Sequence, residues 1–173
     1  MSECIRRYQA FKNVQAITNI EIGIFLAVAA ILIWAAVTDL KHRKISNNLS
    51  LMISGLFVVS SLLFLVQGAE WKSVLLWPTL SAALVFAVGA GLFAAGLMGG
   101  GDVKLIAATA LFAGPALSLP LVLYVTVAGG FIALLTFLHA KLKSEQNDPP
   151  EVPYGVAITA GGLWVCFQRI ATL

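Results

Sequence analysis

Residues 105–140, LIAATALFAGPALSLPLVLYVTVAGGFIALLTFLHA, form 36 consecutive positions without Asp, Glu, Lys or Arg. About 20 apolar residues are enough to cross the hydrocarbon core of a bilayer as one helix, so this run is too long for a single crossing. Pro115 and Pro120 interrupt it, and each proline removes a backbone donor and disfavours helix at the residue before it. The run therefore predicts two helices, near 103–114 and 119–139.

Uncharged stretches of similar character occupy most of the remaining chain. They predict four further helices, near 22–39, 49–66, 74–97 and 153–170. Because the apolar runs are continuous and do not alternate, they favour α-helices over a β-barrel. The predicted fold is all-α, a polytopic integral membrane protein with about six transmembrane helices. It would consist of an amino-terminal tail, 1–20, at the membrane interface and one membrane-embedded domain, 21–173.

The overall composition leads to the same class. The 173 residues are 60% hydrophobic and 11% charged, with a mean hydropathy of +0.93, whereas a soluble globule carries roughly 25% charged residues. This excludes a soluble enzyme, a nucleic-acid-binding domain and a disordered tail, and makes the lipid bilayer the expected surrounding. Two cysteines, Cys4 and Cys166, are too few for a disulfide scaffold or a four-thiolate zinc site.

Basic residues indicate the orientation, because Lys and Arg in short loops prefer the cytoplasm. Loops 40–48, 98–104 and 140–151 hold six of the eleven basic residues, and the two opposite turns hold only Lys72. These three loops are therefore predicted to be cytoplasmic. The amino-terminal tail disagrees with the rule, since it carries three basic residues and falls on the outer side.

Two acidic residues stand apart from the other six, which lie in the tail, the outer segments or the polar loop. Asp39 ends the first predicted helix and Asp102 begins the fourth, so both lie at one depth on the cytoplasmic side. Two carboxyl groups that share one proton can hydrolyse a peptide bond without a metal. Three glycines, 99–101, precede Asp102 and would allow a substrate backbone to approach closely.

Simpler roles are also open for these residues. Asp102 follows a glycine turn and has the position of a helix cap, and Asp39 can pair with Arg43 one helical turn later. His42 and His139 lie near the same face, but the histidines and aspartates have no recognised ligand spacing, so no metal site is predicted.

Three motifs in order resemble the type IV prepilin peptidases, and more closely their short form associated with Flp-type pili. The segment 38–47, TDLKHRKISN, is similar to the first catalytic segment of that family, in which Asp is followed six residues later by Ile and then usually by Pro-Asn. Residues 99–102, GGGD, match its GxGD motif, and residues 153–155, PYG, resemble the stretch that opens its last helix. Ser46 stands where the family usually has Pro.

The resemblance implies an aspartic endopeptidase of the bacterial inner membrane. It would cut the basic leader from prepilins or pseudopilins on the cytoplasmic side, just before their apolar segment, with Asp39 and Asp102 as the catalytic pair. No cofactor is implied, and the lack of CxxC pairs implies no methyltransferase activity. The motifs also assign substrate binding or motif support to a further set of residues: Ile45, Asn47, Gly99, Gly101, Lys104, Pro153, Tyr154 and Gly155.

Two alternatives remain at this point. Presenilin-like proteases also use GxGD, but they are larger and place the first Asp inside a helix. A small cation transporter or channel subunit would also use membrane aspartates, but the chain shows no inverted repeat and no acid in the middle of a span. For Tyr154, a place as an aromatic anchor at the membrane interface is the simpler interpretation, since Tyr is enriched there.

Overall fold

The computed structural model describes residues 2–143 and 153–172, and these residues are helical throughout apart from short connections. It contains a π-helical turn, Lys72–Leu76, and five α-helices: α1 Ser2–His42, α2 Asn47–Val66, α3 Trp77–Ala94, α4 Gly100–Lys143 and α5 Tyr154–Ala171. Residues 144–152, which hold most of the predicted polar loop and three of its acidic residues, lie outside the described residues.

Helix α1 begins earlier than the first predicted span. It is continuous from Ser2, and its membrane-compatible part is Gln15–His42. Glu21, expected at the outer start of the helix, therefore lies within it and is only 7% exposed. The helix ends after His42 because Arg43 has a φ of 49°, the left-handed conformation in which helices commonly terminate.

Ser46 is the amino-terminal cap of α2. Its hydroxyl accepts a hydrogen bond from the backbone N–H of Asn48 at 3.3 Å, and its backbone is extended, with φ −69° and ψ 134°. A proline would hold a very similar φ. The serine therefore keeps the backbone conformation that proline would impose and adds a hydrogen-bond acceptor for the start of α2.

Helix α3 ends where Gly96 takes a φ of 72°. The N–H of Leu97 then donates to the carbonyl of Leu92 at 2.9 Å, and the N–H of Gly96 donates to Phe93 at 2.9 Å. These two bonds form a Schellman motif, which satisfies the last carbonyls of the helix. The chain is thereby turned towards the three glycines that precede Asp102.

Helix α4 is broken at Gly114, whose φ of 61° and ψ of −175° are essentially restricted to glycine. The following Pro115 explains the position of the break, because proline disfavours the α conformation at the preceding residue. We call residues 100–113 the first arm and residues 115–143 the second arm. The break lies where the sequence predicted one helix to end, but the residues after Pro115 continue as helix without the expected gap up to 119.

Helix α5 packs between the two arms and α1. Gly162 lies against Thr109 of the first arm, and Arg169 reaches the carbonyl of Ala113 near its end, so α5 and the first arm run in the same direction. Gly161 lies against Leu121 and Tyr154 against Gly129, so the second arm runs in the opposite direction. The two arms of α4 are therefore antiparallel.

Within residues 2–143 and 153–172, four helical stretches are long and apolar enough to cross a membrane: Gln15–His42, Asn47–Val66, Lys72–Ala94 and Gly100–Leu138. The last of these combines both arms of α4, and α5 is not among the four. The predicted all-α class is confirmed for the described residues. The count of six transmembrane helices is not confirmed and stays a prediction.

Candidate active site

Asp39 lies in the last turn of α1 with its side chain 6% exposed. Its Oδ2 accepts a hydrogen bond of 2.8 Å from the backbone N–H of Gly155. Gly155 is the second residue of α5, after the cap residue Pro153, so its N–H has no partner within that helix. Helix α5 therefore presents its amino-terminal end to the carboxyl group at the end of α1.

Gly155 has no room for a side chain. A Cβ atom at this position would lie 2.7 Å from Oδ2 of Asp39 and 2.9 Å from its Cγ. Such contacts are far below van der Waals distance, so any larger residue would displace the carboxyl group. The glycine thus combines an N–H donor with the close approach that the donation requires.

Asp102 lies in the first turn of α4. The N–H of Gly99 interacts with its carboxyl group, while the N–H of Val103 donates to the Gly99 carbonyl at 3.1 Å. This is one half of a capping box, with Gly99 as the cap residue and the aspartate at the third helical position, because glycine has no side chain to return the bond. The simple capping role expected for Asp102 is therefore present, and it leaves the carboxylate fixed at the helix start.

Asp39 and Asp102 lie close enough to interact electrostatically. They come from α1 and α4. The Asp39 carboxyl group interacts with a backbone N–H at the start of α5, and the Asp102 carboxyl group with one at the start of its own helix, α4. Two coupled carboxyl groups can exchange a proton with a bound water and with a carbonyl oxygen, which is the chemistry of peptide hydrolysis. The structure thus brings together the two acids that the sequence placed at one depth.

Gly101 packs closely against Ile45, and its backbone does not need the positive φ that favours glycine. None of the three glycines 99–101 has a positive φ. A Cβ atom on Gly101 would lie 3.0 Å from the carbonyl oxygen of Ile45 and 3.1 Å from its Cβ. The glycines that were expected to form a turn therefore belong to the start of α4. Gly101 packs closely against Ile45, in the segment that follows Asp39.

Lys104 points to α2. Its Nζ donates to Oδ1 of Asn47 at 3.0 Å, which ties the start of α2 to the first arm of α4. Tyr154 packs its ring against Gly129. The hydrogen bond to Asp39 comes from the next residue along, the backbone N–H of Gly155.

The histidines form no metal cluster in the part of the chain that the structure describes. His42 is exposed at the end of α1, and the side chain of His139 lies outside the described part. Among the described residues no three His, Cys, Asp or Glu side chains converge. Arg43, expected to pair with Asp39, lies within electrostatic range of it.

One polar interaction at the opposite end of the bundle was not predicted. Arg169 donates from Nε to the carbonyl of Phe112 at 3.0 Å and from Nη2 to that of Ala113 at 2.8 Å. These carbonyls end the first arm at the Gly114 break, and Glu21 lies within electrostatic range of the guanidinium. An arginine in the last turn of an otherwise apolar helix was the available signal, because such a cation needs partners in the membrane.

The apolar helices and the coupled carboxyl pair at one end of the bundle define a multi-pass membrane protein with an acidic site. A family model, described as the type IV leader peptidase family, matches residues 26–134. The chain belongs to the type IV leader peptidase family and is a protease of that kind, as its motifs predicted. No curated protein and no solved structure matches it significantly. The matched segment contains Asp39 and Asp102 and ends before Gly155.

Proposed function

We propose that this protein is a membrane aspartic endopeptidase that removes the basic leader peptide from type IV, Flp-type prepilins or pseudopilins. The observation that carries the proposal is that Asp39 and Asp102, 63 positions apart in the chain, lie within electrostatic range of each other. Both stand in motifs that resemble the catalytic segments of the family. Membership of the type IV leader peptidase family supports prepilins as the substrate class.

The proposed reaction uses the two carboxyl groups as general base and general acid. The ionised carboxyl takes a proton from a water molecule, whose oxygen attacks the carbonyl carbon of the scissile peptide. The protonated carboxyl gives its proton to the carbonyl oxygen. Collapse of the tetrahedral intermediate then breaks the C–N bond: the leaving nitrogen takes up the proton that the first carboxyl group took from water, and a hydroxyl of the intermediate returns a proton to the second carboxyl group, which restores the starting state.

The positions of the basic residues support a cytoplasmic site in the bacterial inner membrane. Lys41, Arg43 and Lys44 follow Asp39 directly, and Lys104 follows Asp102 by two residues. All four lie at the end of the bundle that holds the carboxyl groups, and short basic segments prefer the cytoplasm. A leader peptide on the cytoplasmic side would then meet the pair of aspartates, Asp39 and Asp102, at the membrane surface; we call this pair the dyad.

Co-expression with a candidate prepilin tests the proposal. We expect the unmodified protein to remove the leader, seen as a mobility shift of the pilin, and Asp39→Asn and Asp102→Asn to leave it uncut. Glu70→Gln serves as the matched control, because Glu70 is an exposed carboxylate in the outer turn. Leader removal by either aspartate variant at the rate of the control would overturn the dyad, provided that all variants reach the membrane in equal amount.

A further inference from the structure

The two helices α2 and α3 diverge, although a short turn joins them. No Cα atom of α2 lies within 8 Å of one in α3, while both helices contact α4. A cleft of about 580 Å³ separates them, with the first arm of α4 as its floor. The residues that line this α2–α3 cleft are Asn47, Asn48, Ser50, Leu51, Ser54 and Lys104, together with Thr79, Ala82, Ala83, Phe86, Ala107, Ala108 and Leu111.

The cleft starts at the depth of the candidate active site. Lys104 and Asn47, which are hydrogen-bonded to each other, form its polar end, and Lys104 is two residues from Asp102. From Lys104 the floor continues to Leu111, seven residues or about 10 Å further along the helix. The cleft therefore leads from the end of the bundle that holds Asp39 and Asp102 into the membrane.

Its walls are suited to a helix. Small side chains line both sides and the floor, among them Ser54, Ala83 and Ala107. Small residues let the backbone of a second helix approach closely, and this packing drives helix association where no hydrophobic effect operates.

Ser50 gives an independent indication of a polar partner. It lines the cleft and is 8% exposed; its hydroxyl oxygen is itself buried and has no hydrogen-bond partner among the described residues, so an occupant would reach it once the side chain turns towards the cleft. An unsatisfied hydroxyl in a hydrocarbon surrounding is costly. A lipid chain offers it neither donor nor acceptor, whereas a peptide segment offers backbone carbonyls and polar side chains.

We propose that the α2–α3 cleft binds the apolar segment of the prepilin, with the amino-terminal end of that segment beside Lys104. This rests on the proposed function, because a substrate that is cut just before its apolar segment must present that segment at the depth of the dyad. The leader therefore lies on the other side of the cleavage point, in the cytoplasm.

A photo-crosslinking amino acid at Ala83 tests the occupant. Ala83 is exposed and lines the cleft, and Ala30, an exposed alanine of α1 outside it, carries the control probe. We use the full chain with Asp102→Asn, co-expressed with prepilin that then stays uncut. We expect a crosslink from position 83 to the apolar segment of the prepilin and none from position 30. Crosslinks from position 83 only to lipid, only to a second copy of this chain, or to nothing would overturn the proposal.

A larger side chain in the cleft gives a second test, which measures the rate of leader removal and needs no crosslinking probe. Ala83→Leu should slow leader removal about fivefold or more at low prepilin concentration, because the added volume overpacks the cleft, while Ala30→Leu should stay within about twofold of the unmodified protein. Equal rates for the two variants would remove the cleft from substrate binding and leave the proposed function intact. If the unmodified protein removes no leader at all, the proposed function fails first, and the cleft assignment fails with it.

Ser50→Ala separates binding from folding. Removing a buried hydroxyl without a partner should leave the thermal stability in detergent unchanged or raise it. If the hydroxyl bonds to the substrate, the same change should weaken prepilin binding about threefold to tenfold. A variant with unchanged prepilin affinity would show that the hydroxyl does not contact the substrate, and would contradict the choice of a peptide over a lipid chain.

Discussion

The backbone N–H of Gly155 lies 2.8 Å from Oδ2 of Asp39, although 116 positions separate the two residues in the chain. This hydrogen bond joins the last turn of α1 to the first turn of α5. Because Gly155 lacks a side chain, the start of α5 can come close enough to hold the carboxyl group directly.

Gly155→Ala should therefore disable the enzyme. The new Cβ would fall 2.7 Å from Oδ2 of Asp39 and displace the carboxyl group, and a displacement of about 1 Å can lower a rate by about 100-fold. Leader removal and thermal stability should be measured together. Gly130→Ala is the control, since nothing lies within 4 Å of its added Cβ. Normal cleavage by the Gly155 variant would mean that the hydrogen bond does not position Asp39 for catalysis.

Gly101→Ala should act through Ile45. Its Cβ would approach the Ile45 carbonyl oxygen to 3.0 Å, so the segment after Asp39 would have to move by a few tenths of an ångström. We expect a clear drop in the rate of leader removal with folded protein retained, and a larger drop for Gly101→Val. Gly55→Ala, where the added Cβ meets open space, should cleave normally. If both alanine variants cleave equally well, close packing at Gly101 is not needed for activity.

The two aspartates should behave as one unit. Each single Asn substitution removes either the general acid or the general base, so the rate of leader removal should fall by about 100-fold to 10,000-fold or more. The double variant should be no slower than the slower single variant, because groups that act together are strongly non-additive. Rate losses that multiply in the double variant would instead indicate that the two carboxyl groups act independently.

Gly114→Ala should lower stability. Alanine at a φ of 61° and ψ of −175° costs about 1–3 kcal/mol, and its Cβ would also lie 2.8 Å from Nη2 of Arg169. Arg169→Gln should likewise lower the thermal midpoint, because it weakens the bonds to the last carbonyls of the first arm. Lys72→Gln, which removes an exposed cation, is the control. Unchanged midpoints for both test variants would show that the break needs neither residue.

Cysteine labelling tests the orientation. In a Cys4→Ser, Cys166→Ala background, a cysteine at Lys44 should react only with reagents that reach the cytoplasm, and one at Glu70 with external reagents. Both positions are exposed and lie at opposite ends of α2. The reverse pattern would place the dyad outside and contradict its access to leader peptides.

The sequence predicted those features that depend on local composition. Charge-free runs indicated the helices, and the position of Pro115 placed the break that is found at Gly114. The depth of Asp39 and Asp102 followed from where the apolar runs end and begin. Each of these inferences needs only a few neighbouring residues.

Contacts between distant segments could not be predicted in this way. The donation from Gly155 to Asp39 depends on the packing of α5 against α1, and the sequence assigned Gly155 only a general place in a motif. The sequence assigned Gly101 to a turn or to substrate approach, and its close packing against Ile45 could not be foreseen because Ile45 is 56 positions away in the chain. The bonds from Arg169 to the first arm were missed because nothing local pairs a cation with carbonyls so far away in the chain.

The two ends of α5 contact the two helices that carry the acids. Gly155 holds Asp39, and Arg169, 14 positions later, holds the far end of the arm that begins at Asp102. The length of α5 between these two contacts, about 21 Å, therefore sets how far α1 and the first arm of α4 are shifted along each other, although α5 itself carries neither acid. One residue inserted into α5 between Gly155 and Arg169 would shift these two contacts relative to each other by about 1.5 Å and rotate one of them by about 100° around the helix axis, so that both could not be kept.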